Sequence, residues 1–225
     1  MEREAFIKSH LAIGCSVLVP EIRLYLASEL TPLWLATESL LAQHNMAPPY
    51  WAFSWPGSEA LARYILDNPA LVSGKCVLDF AAGGGLAGIA AAKAGAIMVE
   101  AAEIDPLAGE AVRLNAQLNQ VEVSVCVDNL IGQDSGWDVI VAGDVCYEHS
   151  MAATIIPWLR RLAECKIVLL ADPGRRYSFS GIGHILEHYE VPTSLELEQS
   201  SNKTTVIYEI SAGVDQAGQG FNPNR

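Results

Sequence analysis

Lys75-Cys-Val-Leu-Asp-Phe-Ala-Ala-Gly-Gly-Gly-Leu-Ala-Gly-Ile-Ala-Ala-Ala-Lys-Ala-Gly95 is the stretch whose reading decides the fold. Cys76 to Phe80 is a short apolar run of strand type, Gly83, Gly84 and Gly85 form a turn, and Leu86 to Ala94 is an alanine-rich helix pattern. Strand, glycine loop and helix in that order make the entry to a nucleotide-type ligand. Glycines let backbone N–H groups approach a ligand with no Cβ in the way, and the helix turns the positive end of its dipole to the loop.

Two cofactor families share this geometry. Read from Gly83, the loop is Gly-x-Gly-x-x-Gly (Gly83, Gly85, Gly88) with an acid, Glu103, further on, which is the dinucleotide pattern. Read from Asp79, it is Asp-x-Ala-x-Gly-x-Gly, which resembles motif I of the class I S-adenosylmethionine methyltransferases, with Ala81 in place of their usual first glycine. Asp79 separates the two readings. A carboxylate at the strand end repels a pyrophosphate, whereas S-adenosylmethionine has no phosphate and carries an amino group and a sulfonium.

Outward from this stretch, strands and helices alternate. Strands are predicted over 75–80, 96–103, 121–127, 137–142 and 166–170, with helices over 57–67, 86–94, 106–119 and 151–163 between or before them. A further helix is predicted near 178–187, and Tyr189–Leu197 faces Lys203–Ile210 as a closing hairpin. The expected class is α/β, doubly wound, with a mostly parallel seven-stranded sheet ending in a C-terminal antiparallel hairpin. Upstream, residues 3–14 read as a helix, Glu21 to Ala27 as a half-buried strand, and Thr31-Pro32 as the start of a helix running to about Gln43. The division expected is a cap over 1–56, a cofactor-binding domain over 57–211, and a disordered Gly-, Gln- and Asn-rich tail over 212–225.

The segment before the domain holds Tyr50, Trp51, Phe53 and Trp55 among prolines. Such aromatics either plug the gap between cap and domain or line a pocket for a methyl-bearing cation. Composition narrows the partner. A net charge of −12 and a pI near 4.7 argue against a broad nucleic-acid surface and suit a lysine-bearing partner. No apolar run reaches membrane-span length without a proline or charge, so no membrane partner is expected. The N-terminus mixes both charge signs, unlike a signal or transit peptide, and reads as cytoplasmic. The five cysteines are scattered, and no metal site is expected, His184 and His188 being read as ordinary residues of a helix face.

Ligands of open α/β sheets bind at the carboxyl ends of the strands. Those ends carry Asp79, Glu103, Asp128 and Asp144. Glu103 is placed to accept two hydrogen bonds from a ribose diol, with Ile104 covering one face of adenine. Asp128 and Asn129 are placed to read adenine's edge, although Asp-Asn is also an ordinary turn pair. Asp144-Val-Cys-Tyr147 resembles the Asp-x-x-Tyr motif of the seven-β-strand protein-lysine methyltransferases. Pro48-Pro49-Tyr50 superficially resembles the Pro-Pro-Tyr turn of nucleic-acid amino-methylases, but it lies before motif I and follows Ala47.

Together, Pro49-Tyr-Trp-Ala-Phe-Ser-Trp-Pro-Gly57, the Asp79 loop, Glu103-Ile-Asp-Pro106, Gly143-Asp-Val-Cys-Tyr147 and Ala171-Asp-Pro-Gly-Arg175 are similar to the electron transfer flavoprotein β-subunit lysine methyltransferases. The likeness runs from about Val19 to Arg176. It implies S-adenosylmethionine as cofactor, held by Trp55, Asp79, Ala81, Gly83, Gly85, Glu103, Ile104, Asp128 and Asn129. It also implies a protein substrate, suspected to be that flavoprotein subunit, whose lysine meets Asp144 and Tyr147. The cleft is expected to be rimmed by Trp51, Trp55 and Tyr147. A methyltransferase of a ribosomal protein or small amine, an NAD(P) oxidoreductase and a non-catalytic scaffold remain the alternatives.

Overall fold

The computed structural model describes residues 3–27, 49–178 and 181–212. The helix expected from Thr31 and the tail from 213 onward lie outside them. Helix α1 (Arg3–His10) stops earlier than its sequence pattern predicts, because Ala12–Gly14 forms strand β1 and pairs antiparallel with β2 (Leu24–Leu26). A partner strand supplies backbone hydrogen bonds that a fraying helix end lacks.

Helix α2 (Pro56–Asp67) begins with proline at its first position, where the missing N–H costs nothing. The main sheet then forms from β3 (Cys76–Phe80), β4 (Met98–Ala102), β5 (Ser124–Cys126), β6 (Val139–Gly143), β7 (Ile167–Asp172), β8 (Gly183–Pro192) and β9 (Asn202–Ile210). Its order is β5-β4-β3-β6-β7-β9-β8, and β9 runs antiparallel to both its neighbours. The seven strands, the parallel body and the antiparallel ending are those expected. Helices α3 (Leu86–Lys93), α4 (Pro106–Leu118) and α5 (His149–Leu162) supply the crossovers, and a single turn, α6 (Leu195–Glu198), joins β8 to β9.

Alternation along the central strands splits the core in two. Val77, Val139, Val141, Leu169 and Ile207 face one side, with Leu61 and Ile65 of α2 and Leu86 and Ile89 of α3. Leu78, Phe80, Ile140, Val168 and Leu170 face the other, with Ile155, Trp158 and Leu159 of α5. Period-two alternation on strands covered on both faces produces this sandwich. A third cluster joins the N-terminal part to the domain: Ile7, Leu11, Trp51 and Phe53 pack on Ala108, Ala111 and Leu114 of α4.

Where a helix is expected near 178–187, the residues from Gly183 on form the start of β8. A bulge between Ile185 and Glu187 breaks the alternation, so inward positions fall at Gly183, Leu186, Tyr189 and Val191. Spacings of three imitate a helix period. His184 and His188 therefore sit on a strand, where four residues span roughly 13 Å and cannot share a metal ion. Among the described residues no group of three or more His, Cys, Asp or Glu could hold one.

The chain leaves β3 first for β4 and β5, then crosses back to β6 and β7. That reversal opens a crevice at the carboxyl ends of β3, β4 and β6.

Candidate active site

At the end of β3 the backbone enters the left-handed region at Ala81 (φ 54°), Gly83 (φ 55°) and Gly85 (φ 82°). Glycine takes this conformation without strain; alanine does not. Ala81→Gly is accordingly expected to raise the unfolding free energy by about 1 kcal/mol, read by denaturant titration, and no gain would show the turn unstrained.

Asp79, 3% exposed, accepts the Gly88 N–H at 2.7 Å through Oδ2. A Cβ on Gly88 would stand 3.0 Å from that oxygen, so the third glycine of the fingerprint admits the helix to the strand. The Asp79 carboxyl thus ties α3 to β3 from below the loop. Glu103 grips the loop from the other side. Its Oε2 accepts the Gly83 N–H at 3.0 Å and its Oε1 the Ile104 N–H at 2.8 Å, while Asp105, two residues on, caps α4 through the Leu107 N–H. A carboxylate has about four lone-pair positions, so both oxygens retain capacity for a ribose diol. Ile104 beside it is 74% exposed, an apolar surface facing solvent. Asp128 and Asn129 are exposed beyond β5, where Asn129 also accepts the Ile131 N–H at 3.0 Å and makes the turn.

Asp144, at the end of β6, is 9% exposed and left-handed (φ 58°). Its Oδ2 accepts the Gly57 N–H at 2.5 Å, in the first turn of α2, where an acid meets the positive end of the helix. A Cβ on Gly57 would lie 2.7 Å from the Asp144 backbone nitrogen, so only glycine lets this helix seat there. Oδ1 accepts Arg175 Nε at 2.7 Å. The same guanidinium forks onto both oxygens of buried Glu198, at 2.9 and 2.6 Å, and lies 5.7 Å from the centre of the Trp55 ring. Arg175 and Glu198 complete the setting of Asp144. The sequence motif contained Arg175, but nothing local marked its role; Glu198 lies on a turn brought in only by the sheet.

Tyr147, half exposed, lies 6.3 Å from Tyr50, and Tyr50 lies 6.0 Å from Trp55, whose indole donates to the Tyr50 carbonyl at 2.7 Å. Trp51 departs from expectation. It is 4% exposed in the third core cluster and is no part of a rim. Its hydrophobic ring finds more area to bury against α4 than a cleft edge offers. Asn115 of α4, fully buried, is a further contributor without a sequence motif. Its amide donates to the Gly84 carbonyl at 2.8 Å and accepts the Tyr25 N–H at 2.8 Å.

Burial sets the electrostatics. It pushes Asp79 up to about 7, against the Gly88 hydrogen bond and with help from the Glu103 charge. It raises Asp144 to about 6 despite Arg175, and raises Glu103 despite three backbone donors. Glu59 in α2, 5% exposed, is lifted to about 7 by burial as well. Groups raised on folding bind protons more tightly in the folded chain, so their stabilisation is complete below pH 4 and lost as pH rises through 6 to 7. The melting temperature without added cofactor is expected to be roughly 5 °C lower at pH 8 than at pH 6, and Asp79→Asn to flatten that difference. Equal melting temperatures in differential scanning calorimetry would contradict this.

The residues present fit S-adenosylmethionine. A carboxylate stands where a diol would be gripped, an apolar side chain is exposed next to it, and among the described residues no lysine or arginine of a phosphate site takes part in the loop's hydrogen bonds. The Trp51 indole N–H is buried without a partner among the described residues, and the Trp51 carbonyl is 3.1 Å from where a Gly84 side chain would begin.

Fold and site define a class I S-adenosylmethionine-dependent methyltransferase. A solved magnesium protoporphyrin IX methyltransferase from Synechocystis PCC 6803 with bound SAM shares the fold, with a TM-score of 0.51 and 13% identity, covering 82% of this chain and 100% of that one. The family model described as ribosomal protein L11 methyltransferase (PrmA) matches residues 60–174. Electron transfer flavoprotein beta subunit lysine methyltransferases match over far more. The Xenopus laevis protein is 39% identical, covering 88% of this chain and 80% of its own length, and the Homo sapiens protein is 35% identical, covering 92% and 81%. The chain belongs to this lysine methyltransferase family.

Proposed function

We propose that the chain methylates lysine side chains of the electron transfer flavoprotein β subunit, as its relatives are named for doing. The observation that carries the lysine reading is the wall of Tyr147, Tyr50 and Trp55, the last 5.7 Å from the guanidinium of Arg175 that binds the buried acid Asp144. The likeness to those relatives, over 88–92% of this chain and 80–81% of theirs, supports the choice of protein.

S-adenosylmethionine, when bound, supplies a methyl group on a sulfonium, already activated for attack by an amine. Trp55, Asp79, Ala81, Gly83, Gly85, Glu103, Ile104, Asp128 and Asn129 are the residues assigned to hold it. The chain's remaining task is to deliver a neutral amine, since a free lysine is protonated at neutral pH. Asp144 draws in and orients the ammonium. The aromatic wall excludes water and thereby lowers the lysine pKa, so the proton leaves to solvent before the nitrogen attacks. Tyr147, whose own pKa burial raises, keeps its hydroxyl proton and acts as wall and hydrogen-bond partner.

The test is to incubate the enzyme, S-adenosylmethionine and purified flavoprotein, then map mass gains of one CH₂ each by peptide mass spectrometry. Methylated lysines on the β subunit support the reading. An unmodified flavoprotein, with a ribosomal protein or small amine labelled instead, would overturn it.

A further inference from the structure

An open groove of about 350 Å³ lies on the side of Trp55 formed by the N-terminal strands and the β8–β9 connection. Leu26, Trp55 and Leu197 give it apolar walls, and Ser54, Glu59 and Glu198 give it polar ones. It is separate from the glycine loop and from Asp144, neither of which lines it.

Glu59 is the anomaly. Its neighbours in α2, Ala60, Leu61 and Ala62, are buried and apolar, as the core face requires, yet this acid is only 5% exposed among them. Its Oε2 has no hydrogen-bond partner among the described residues. Among the described residues no lysine or arginine forms an ion pair with it; the nearby groups that ease its burial are Ser54, Ser16 and the Leu18 backbone. A buried carboxyl with an oxygen left without a partner costs stability, and Ser54, Ser16 and the Leu18 backbone offset that cost only in part.

Apolar walls ending at a carboxyl match a side chain with an aliphatic stem and a cationic head. Glu198 in the wall is already neutralised by Arg175, so Glu59 carries the attraction, and the chain's −12 net charge favours a basic partner over an acidic one. Trp55 is shared: it lines this groove while its ring lies 5.7 Å from the Arg175 guanidinium and 6.0 Å, tilted, from Tyr50. We propose that the groove seats a second lysine or arginine side chain of the protein substrate, close to the lysine that is methylated, its charge meeting Glu59. This rests on the protein-lysine reading above and adds a specificity element to it.

The experiment uses the full chain and purified electron transfer flavoprotein in steady-state methylation assays. Glu59→Gln keeps size and removes charge, and is expected to raise the flavoprotein KM about tenfold, well beyond any fall in kcat, with the Kd for S-adenosylmethionine unchanged. Val17→Lys, at a rim position 77% exposed that tolerates substitution, places a tethered cation over the groove and is expected to raise KM likewise. Alanine replacement of each basic residue flanking the methylated lysine should find one whose effect vanishes in Glu59→Gln enzyme, a coupling that a purely structural Glu59 would not produce. If wild type methylates the flavoprotein and both variants do so with its KM, or all losses are additive, the groove proposal falls while the function stands. If wild type leaves the flavoprotein unmodified, both fall.

Discussion

Arg175→Met is expected to lower the free energy of unfolding by about 3–5 kcal/mol, the usual cost of removing one partner from a buried ion pair. The guanidinium is only 19% exposed, and it serves two carboxylates whose side chains are 10% and 5% exposed. Methionine fills a similar volume but leaves Asp144 and Glu198 facing each other across an apolar gap, with Lys203, 3.7 Å from Glu198, as the remaining cation among the described residues. Burial already holds Asp144 near 6 with Arg175 in place, so without it the carboxyl rises further and the variant binds a proton that the unfolded chain does not. The deficit should therefore shrink as pH falls from 8 towards 5 and be largest at alkaline pH. Arg175→Lys should recover part of it, since charge returns but the fork that reaches both acids does not. Urea unfolding at two pH values measures all of this. A loss below about 1 kcal/mol, comparable to a surface pair, would mean the network is solvated and not structural.

Glu103→Ala is expected to weaken S-adenosylmethionine binding by about 2–3 kcal/mol, roughly 30- to 150-fold in Kd. Two charge-assisted hydrogen bonds to the cofactor's diol would be lost. The substitution also releases the Gly83 N–H, now held at 3.0 Å, so the loop would have to be ordered by the ligand. Both effects act in the same direction. Isothermal calorimetry with S-adenosylmethionine reads the affinity, and a folded variant binding as wild type would remove Glu103 from the site.

How much of this was legible in the sequence depended on whether the signal was local. The Asp79 loop, Asp105-Pro106 and the alternating β and α segments could be read because their meaning is carried by neighbours in the chain: a turn, a cap, a period. The β8 bulge defeated the same reading by giving a strand the spacing of a helix. Trp51 was misplaced because an aromatic next to prolines carries no mark of which side of the chain is core; α4 decides that from sixty residues away. The Asp144 motif was visible, while Glu198 was not, because its partner Arg175 reaches it only once β7 and β9 have paired. Glu59 hid in the apolar face of α2, where one charged letter in a helix reads as an ordinary solvent position.

The amide of Asn115 spans two parts of the chain that the sequence sets far apart, the Gly84 turn and the backbone of Tyr25 in β2. Asn119, one turn along α4, repeats the grip on Arg23 through both its carbonyl and its amino group. The glycine loop is thus braced by a strand lying upstream of residues 60–174, the part matched by the ribosomal protein L11 methyltransferase model. Modularity ends at that brace. The shared core carries the sheet and the loop's own sequence, but the stiffness of the loop is borrowed from this chain's N-terminal segment, so grafting the core without it would transplant the recipe and leave the scaffolding behind.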